Sequence, residues 1–109
     1  MATPEGRVKA AVKKLLAEFG SDVYRFMPVQ AGFGDTTLDF LCAINGRFFA
    51  IETKAPGKTT TPRQQNTIRQ ITAAGGVCFV IDNTTPMALK PLRDFLEEVS
   101  ATSSSKSQT

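Results

Sequence analysis

Asn45-Gly46 separates two β-rich runs, Leu38 to Ile44 and Arg47 to Thr53. The pair suits a two-residue type I′ turn, which needs a positive φ at both central positions, so the two runs read as a hairpin. Such a turn sets register. Ile44 faces Arg47, each facing pair has the same sum of residue numbers, and Asp39 lands opposite Glu52. Strand side chains alternate between faces. Asp39, Leu41, Ala43, Phe48, Ala50, Glu52 and Lys54 therefore share one face, whose apolar part implies a covering helix. Leu38, Phe40, Cys42, Ile44, Phe49 and Ile51 share the other, apolar throughout.

The rest of the chain alternates in type. Thr3 to Phe19 reads as an amphipathic helix with Val8, Ala11, Val12, Leu15, Leu16 and Phe19 on one stripe. Lys9, Lys13 and Lys14 fall off that stripe and read most simply as a solvated face. Thr3 suits the N-cap, Pro4 the first helical position and Gly20 a left-handed stop. "DVYRFMPV" is a strand that Pro28 ends or places at a sheet edge. "QAGFGDTT" and "APGKTTTP" read as loops. Thr61 to Ala74 is a second helix stopped at Gly75-Gly76. Val77 to Ile81 is a short apolar run, expected as a central buried strand, and a last helix covers about Leu89 to Val99. The order is α-β-β-β-α-β-α: an α/β fold with an αβββαβ core, a mixed sheet in two or three layers and a C-terminal helix. One domain spans 1–99, and the polar stretch 100–109 reads as a disordered tail.

Composition narrows the chemistry. The 109 residues make one small domain. There is no histidine. That excludes serine–histidine and cysteine–histidine nucleophiles and disfavours structural zinc, so catalysis here must use carboxylates, lysines, hydroxyls or a hard metal. Cys42 and Cys78 sit in apolar runs and read as reduced core thiols. The net charge of +3 suits a polyanion partner without requiring one. No apolar run approaches the ~18 residues of a membrane span, and no charged-then-apolar leader is present, which points to a cytoplasmic protein.

Two carboxylates facing each other across adjacent strands repel. Asp39 and Glu52 do so with Lys54 one step along the same face. Two oxyanions at this separation suit Mg²⁺ or Mn²⁺, and the lysine can orient a bound water or offset the charge of an attacked phosphate. The plain alternative is a solvated strand end where Lys54 only pairs with an acid. Gln64 sits at the third position of the second helix, where it suits a capping box, yet shares the inward stripe of Ile68 and Ile71. Gln65 is its nearest competitor. Glu5 shares a stripe with Val8 and Val12, so it either compensates the helix dipole or points at the same place. Lys54, Lys58 and Arg63 flank an acid-free, hydroxyl-rich loop suited to phosphate contacts that position a backbone without reading bases. Asp35 and Asp82 read as turn residues.

An acid on the second strand, E-x-K closing the next, and a helix opening "TPRQ" together resemble the PD-(D/E)XK nuclease superfamily. Within it the chain is similar to the small VRR-NUC domains of phages and repair nucleases. The matching positions are Glu5, the "GFGD" loop, Asp39, Glu52 with Lys54, Thr61 to Gln64, and Gly75-Gly76 before "VCFVI", across roughly Pro4 to Ile81. Leu38 stands where the superfamily name leads one to expect proline. The resemblance implies a restriction-endonuclease-like fold and a Mg²⁺-dependent endonuclease leaving 5′-phosphate and 3′-hydroxyl ends. It further implies metal held by Asp39, Glu52 and the Thr53 carbonyl, with Lys54 acting on the water and Glu5 and Gln64 supporting. A homodimer acting on branched or junction DNA, in a bacterial or phage-infected cell, follows from the same likeness; an apolar edge near Val23 to Val29 is a candidate contact. The competing expectation is a catalytically silent module of the same fold that binds nucleic acid or protein.

Overall fold

The computed structural model describes residues 2–29 and 37–106, with side chains through 101. The elements are α1 (Pro4–Ala17), a 3-10 turn (Gly20–Asp22), β1 (Val23–Phe26), β2 (Phe40–Ile44), β3 (Arg47–Thr53), α2 (Pro62–Ala73), β4 (Val77–Ile81) and α3 (Pro86–Lys106). The "GFGD" loop, Asp35 included, lies outside the described residues.

The expected hairpin is present. Asn45 and Gly46 have φ of 48° and 77°, the signature of a type I′ turn. Ile44 pairs with Arg47 and Phe40 with Ile51. The four strands are ordered β1-β2-β3-β4, antiparallel through β3, with β4 parallel to β3 across the α2 crossover. Thr3 caps α1 by accepting from the Gly6 amide at 2.9 Å. Gly20 takes the expected left-handed φ of 55°.

β4 is not central, as its apolar run suggested, but an edge strand. Its apolar character comes from α2 and α3 packing against its two faces. Face burial says nothing about how many strands lie alongside.

The core lies on one side of the sheet. Val8, Val12, Leu15 and Leu16 of α1 meet Leu89, Leu92, Leu96 and Val99 of α3 over Phe40, Cys42, Ile44, Phe49, Ile51 and Ile81. Phe95 of α3 packs on the sheet, edge-on to Phe49 at 5.3 Å and tilted against Phe79 at 5.4 Å between ring centres. Val99 is the last residue of α3 in this core. Cys42 is buried among these side chains, and desolvation pushes its thiol up to about 12, so it is a packing group rather than a nucleophile.

α2 covers part of the opposite face. A methyl on Gly76 would meet Ile71 Cγ2 at 2.7 Å and Phe48 Cδ2 at 3.0 Å, so only glycine lets the chain turn so tightly beneath α2 into β4. The expectation of full cover fails over β1 and β2. Tyr24 and Phe26 there are 66% and 50% exposed, and Phe48 is 44% exposed. α2 is tied to β4 by a short Gly-Gly connection, and it cannot reach the far edge of the sheet.

Candidate active site

β3 is buried over its last five residues and carries its closing residues to one end of the sheet. The Lys54 amide donates to the Ile81 carbonyl at 2.9 Å and so extends the β3–β4 pairing past Thr53. Glu52 is buried at 3% exposure yet has polar partners at both oxygens. Its Oε1 accepts from the Asp39 amide at 3.2 Å, and its Oε2 accepts from the Gln64 side-chain amide at 2.7 Å. Lys54 Nζ stands 3.7 Å from Oε2. Burial, and next the negative charge of Asp39, push the Glu52 carboxyl up to about 7, against the opposing pull of Lys54.

Asp39 lies beside Glu52 as the hairpin register requires, but its carboxylate turns the other way. Oδ2 accepts from both the Thr53 amide at 3.0 Å and the Thr53 hydroxyl at 2.6 Å. The reason is local. Asp39 occupies the bend before β2 begins at Phe40, so strand alternation no longer governs its side chain. Its Oδ1 faces Lys9 Nζ of α1 at 3.9 Å.

Gln64 has two tasks. Its carbonyl oxygen accepts from the Thr61 amide at 2.9 Å while the Thr61 hydroxyl accepts from the Gln64 amide at 3.2 Å, completing a capping box. Its NH₂ group holds Glu52. The cap takes the Thr61 and Gln64 amides, and Pro62 has none to offer. α2 reaches Glu52 through the Gln64 side chain. Gln65 serves the loop instead, donating to the Thr60 carbonyl at 3.1 Å.

Glu5 is half-buried and contributes the smallest of the charges that raise the Glu52 carboxyl. Among the described residues it does not gather with the two acids into a metal-binding group. Lys58 and Arg63 are exposed on the loop and first turn of α2, and neither pairs with a carboxylate among the described residues. Asp82 is exposed after β4. Two contributors escaped the sequence reading, Lys9 and the Thr53 hydroxyl. Thr53 carried a signal: it is a polar residue continuing the core-facing series Phe49, Ile51. Lys9 carried a weaker one, lying one helical turn beyond Glu5.

The donor set fits a hard divalent cation. Two acids lie at one sheet end, the Asp39 carboxylate turned toward Thr53, and the Glu52 anion is disfavoured by burial and by its neighbour's charge, which a cation would offset. Among the described residues no three acid, imidazole or thiol side chains gather into a metal-binding group. An ion here would take two carboxylates and complete its shell with carbonyl and water oxygens, which Mg²⁺ accepts. No helix of the described residues is long and apolar enough to cross a membrane. No protein-family model matches the chain, and neither does any curated protein.

Proposed function

We propose that the chain is a metal-dependent DNA endonuclease acting through Asp39, Glu52 and Lys54. The observation that carries this reading is Glu52 itself: a buried carboxylate held by Gln64 and the Asp39 amide, with a lysine 3.7 Å away and a second acid beside it. A structural ion pair has no use for the second acid. Mg²⁺ or Mn²⁺, bound by Asp39, Glu52 and the Thr53 carbonyl, would supply Lewis-acid polarisation of a phosphoryl oxygen and a more acidic water.

The chain's own groups do the rest. Thr53 engages one oxygen of Asp39 through two donors and so fixes how the carboxylate presents the other. Lys54 is 14% exposed, enough for its ammonium to meet a phosphate oxygen or the attacking water while its stem stays packed. Water forms the new bond to phosphorus and the bond to the 3′ oxygen breaks. The attacking water gives up one proton to solvent and the departing 3′ oxygen takes one, leaving 5′-phosphate and 3′-hydroxyl ends. Lys58 and Arg63 hold flanking phosphates. Glu5 biases the field at Glu52 from α1.

The exposed apolar face of β1 and β2 supports a homodimer. β1 is an edge strand, and Tyr24, Phe26, Leu41, Ala43 and Phe48 line an open depression of about 340 Å³ beside it. An unpaired ladder edge next to an apolar face invites a second copy. A dimer brings two sites to one DNA, which suits branched substrates with two strands to cut. Phe26→Asp is expected to halve the sedimenting mass while the circular dichroism spectrum is retained; a wild-type monomer would exclude the dimer.

The direct test is cleavage of labelled four-way junction, flap and linear duplex DNA with Mg²⁺, Mn²⁺ or EDTA. The expected result is metal-dependent cutting of branched DNA by wild type and none by Lys54→Ala. DNA binding without cutting on any substrate would make the chain a silent binding module.

A further inference from the structure

A second charged surface lies away from the carboxylates. Between the latter half of α1 and strand β1 runs a cleft of about 560 Å³ lined by Lys13, Lys14, Leu16, Ala17, Val23 and Arg25. Every charged side chain in its wall is a cation. Among the described residues none of the three is within ion-pair distance of a carboxylate. Of the acids nearest in sequence, Glu18 holds Arg93 at 3.0 Å and feels the charge of Lys14 from outside ion-pair distance, and Asp22 accepts from the Ser100 hydroxyl at 3.4 Å. Among the described residues the Arg25 guanidinium hydrogen-bonds to the Met27 sulfur, at 3.9 Å, which leaves most of its five donors available. Three cations around one cleft repel each other, and a polyanion relieves that repulsion.

The cleft connects to the site. Lys9, 3.9 Å from Asp39 Oδ1, is one helical turn before Lys13 on the same stripe of α1. Four residues advance ~6 Å along a helix axis. Successive phosphates of one strand advance ~3.4 Å along a duplex, so this step spans roughly two nucleotides. On the other side of the carboxylates stand Lys58 and Arg63. Cations therefore lead away from the site in two directions.

We propose that the cleft between α1 and β1 binds the phosphodiester backbone of nucleic acid a few nucleotides from the cut, with Lys9 and Lys13 leading the strand from the carboxylates to Lys14 and Arg25. The direction of the strand rests on the nuclease reading of the site; the ligand's chemistry rests on the cleft. Arg25 can take a phosphate through two parallel bonds, and the lysines act as point charges. No aromatic or amide side chain lines the cleft, so the grip is independent of base sequence.

The test is binding of a fluorescent duplex in EDTA across a salt series, since no cutting is then needed. Lys13→Ala/Lys14→Ala/Arg25→Ala removes three exposed side chains. It is expected to lower the slope of log affinity against log salt by about two to three, at ~0.9 for each lost phosphate contact, and to weaken binding at least about tenfold. Lys13→Glu and Lys90→Glu change net charge equally, and only the first should lower the slope. A wild-type slope in the triple variant, or equal losses in the two reversals, overturns the proposal. Wild type that cuts DNA while the triple variant keeps its slope loses the cleft and keeps the nuclease. Wild type that binds through the cleft and never cuts keeps the cleft and loses the nuclease. Pyrophosphate bound in the cleft with no DNA binding would make it a small-anion pocket and overturn the proposal.

Discussion

Glu52→Ala is expected to lower metal-dependent cleavage by on the order of 10²–10³-fold and to leave the metal-free fold close to wild-type stability at pH 8. The two halves of that result have separate causes. Alanine deletes an oxygen donor at the sheet end, and among the described residues no third carboxylate is placed to replace it: Asp39 would already be a ligand, and Glu5 does not gather with the pair into a metal-binding group. On the stability side, the substitution removes a buried anion that desolvation and Asp39 both disfavour. It also leaves the Gln64 amide and the Asp39 N–H without their acceptor, at about 1–3 kcal/mol each. Those terms oppose each other. A structural ion pair would behave differently, since losing Glu52 would strand Lys54 and lower the melting temperature with little to read in cleavage. The measurement is single-turnover cutting beside thermal unfolding in EDTA; full activity in Glu52→Ala would end the nuclease reading.

In EDTA, the melting temperature of the wild type is expected to fall as pH rises from about 5 to 8. Glu52 is an acid whose carboxyl is raised from 4.5 to about 7 in the folded chain. Between those values the folded state binds the extra proton, so stability declines with rising pH across this window and is level below and above it. The full shift corresponds to at most about 3 kcal/mol, reduced by whatever solvent reaches the sheet end. Burial sets most of it; of the neighbouring charges, Asp39 and Glu5 raise the carboxyl and Lys54 lowers it. Glu18 is held below its ordinary range by the hydrogen bond from Arg93, so it titrates below this window and does not blur it. Saturating Mg²⁺ should remove the decline, because a cation favours the anionic form. A melting temperature that rises steadily from pH 5 to 8 in EDTA would contradict the assignment of Glu52 as the destabilised acid.

Local chemistry explains which parts of this arrangement could be read in advance. The Asn45-Gly46 turn, by forcing register, brought Asp39 beside Glu52 thirteen residues away. The Thr61–Gln64 cap and the stripe through Ile68 placed the correct glutamine at the site, because both depend on spacing within one helix. Lateral order in the sheet was not readable, since side chains of β4 respond to the helices on its faces and not to its neighbours. The Asp39 carboxylate departed from strand alternation because the ladder stops one residue short of it. Lys9 was lost for another reason: how α1 lies against the end of β2 depends on packing over thirty residues of separation, which no periodic pattern records. The bare β1–β2 face was invisible for the same reason, since it depends on how far α2 extends across the sheet.

The Gln64 side chain, shared between a helix start and a buried carboxylate, also couples the opening of α2 to the surroundings of Glu52. Its amide cannot turn over without facing an NH₂ to the Thr61 N–H and a carbonyl to Glu52, so both hydrogen bonds are made together or lost together. Fraying of the first turn of α2 therefore dismantles the acid's environment, and anything that secures the acid suppresses the fraying. The opening of α2 and the end of β3 are therefore expected to exchange their amide hydrogens together. Preorganisation of the site is then an equilibrium property of the two together, not of any one side chain within them.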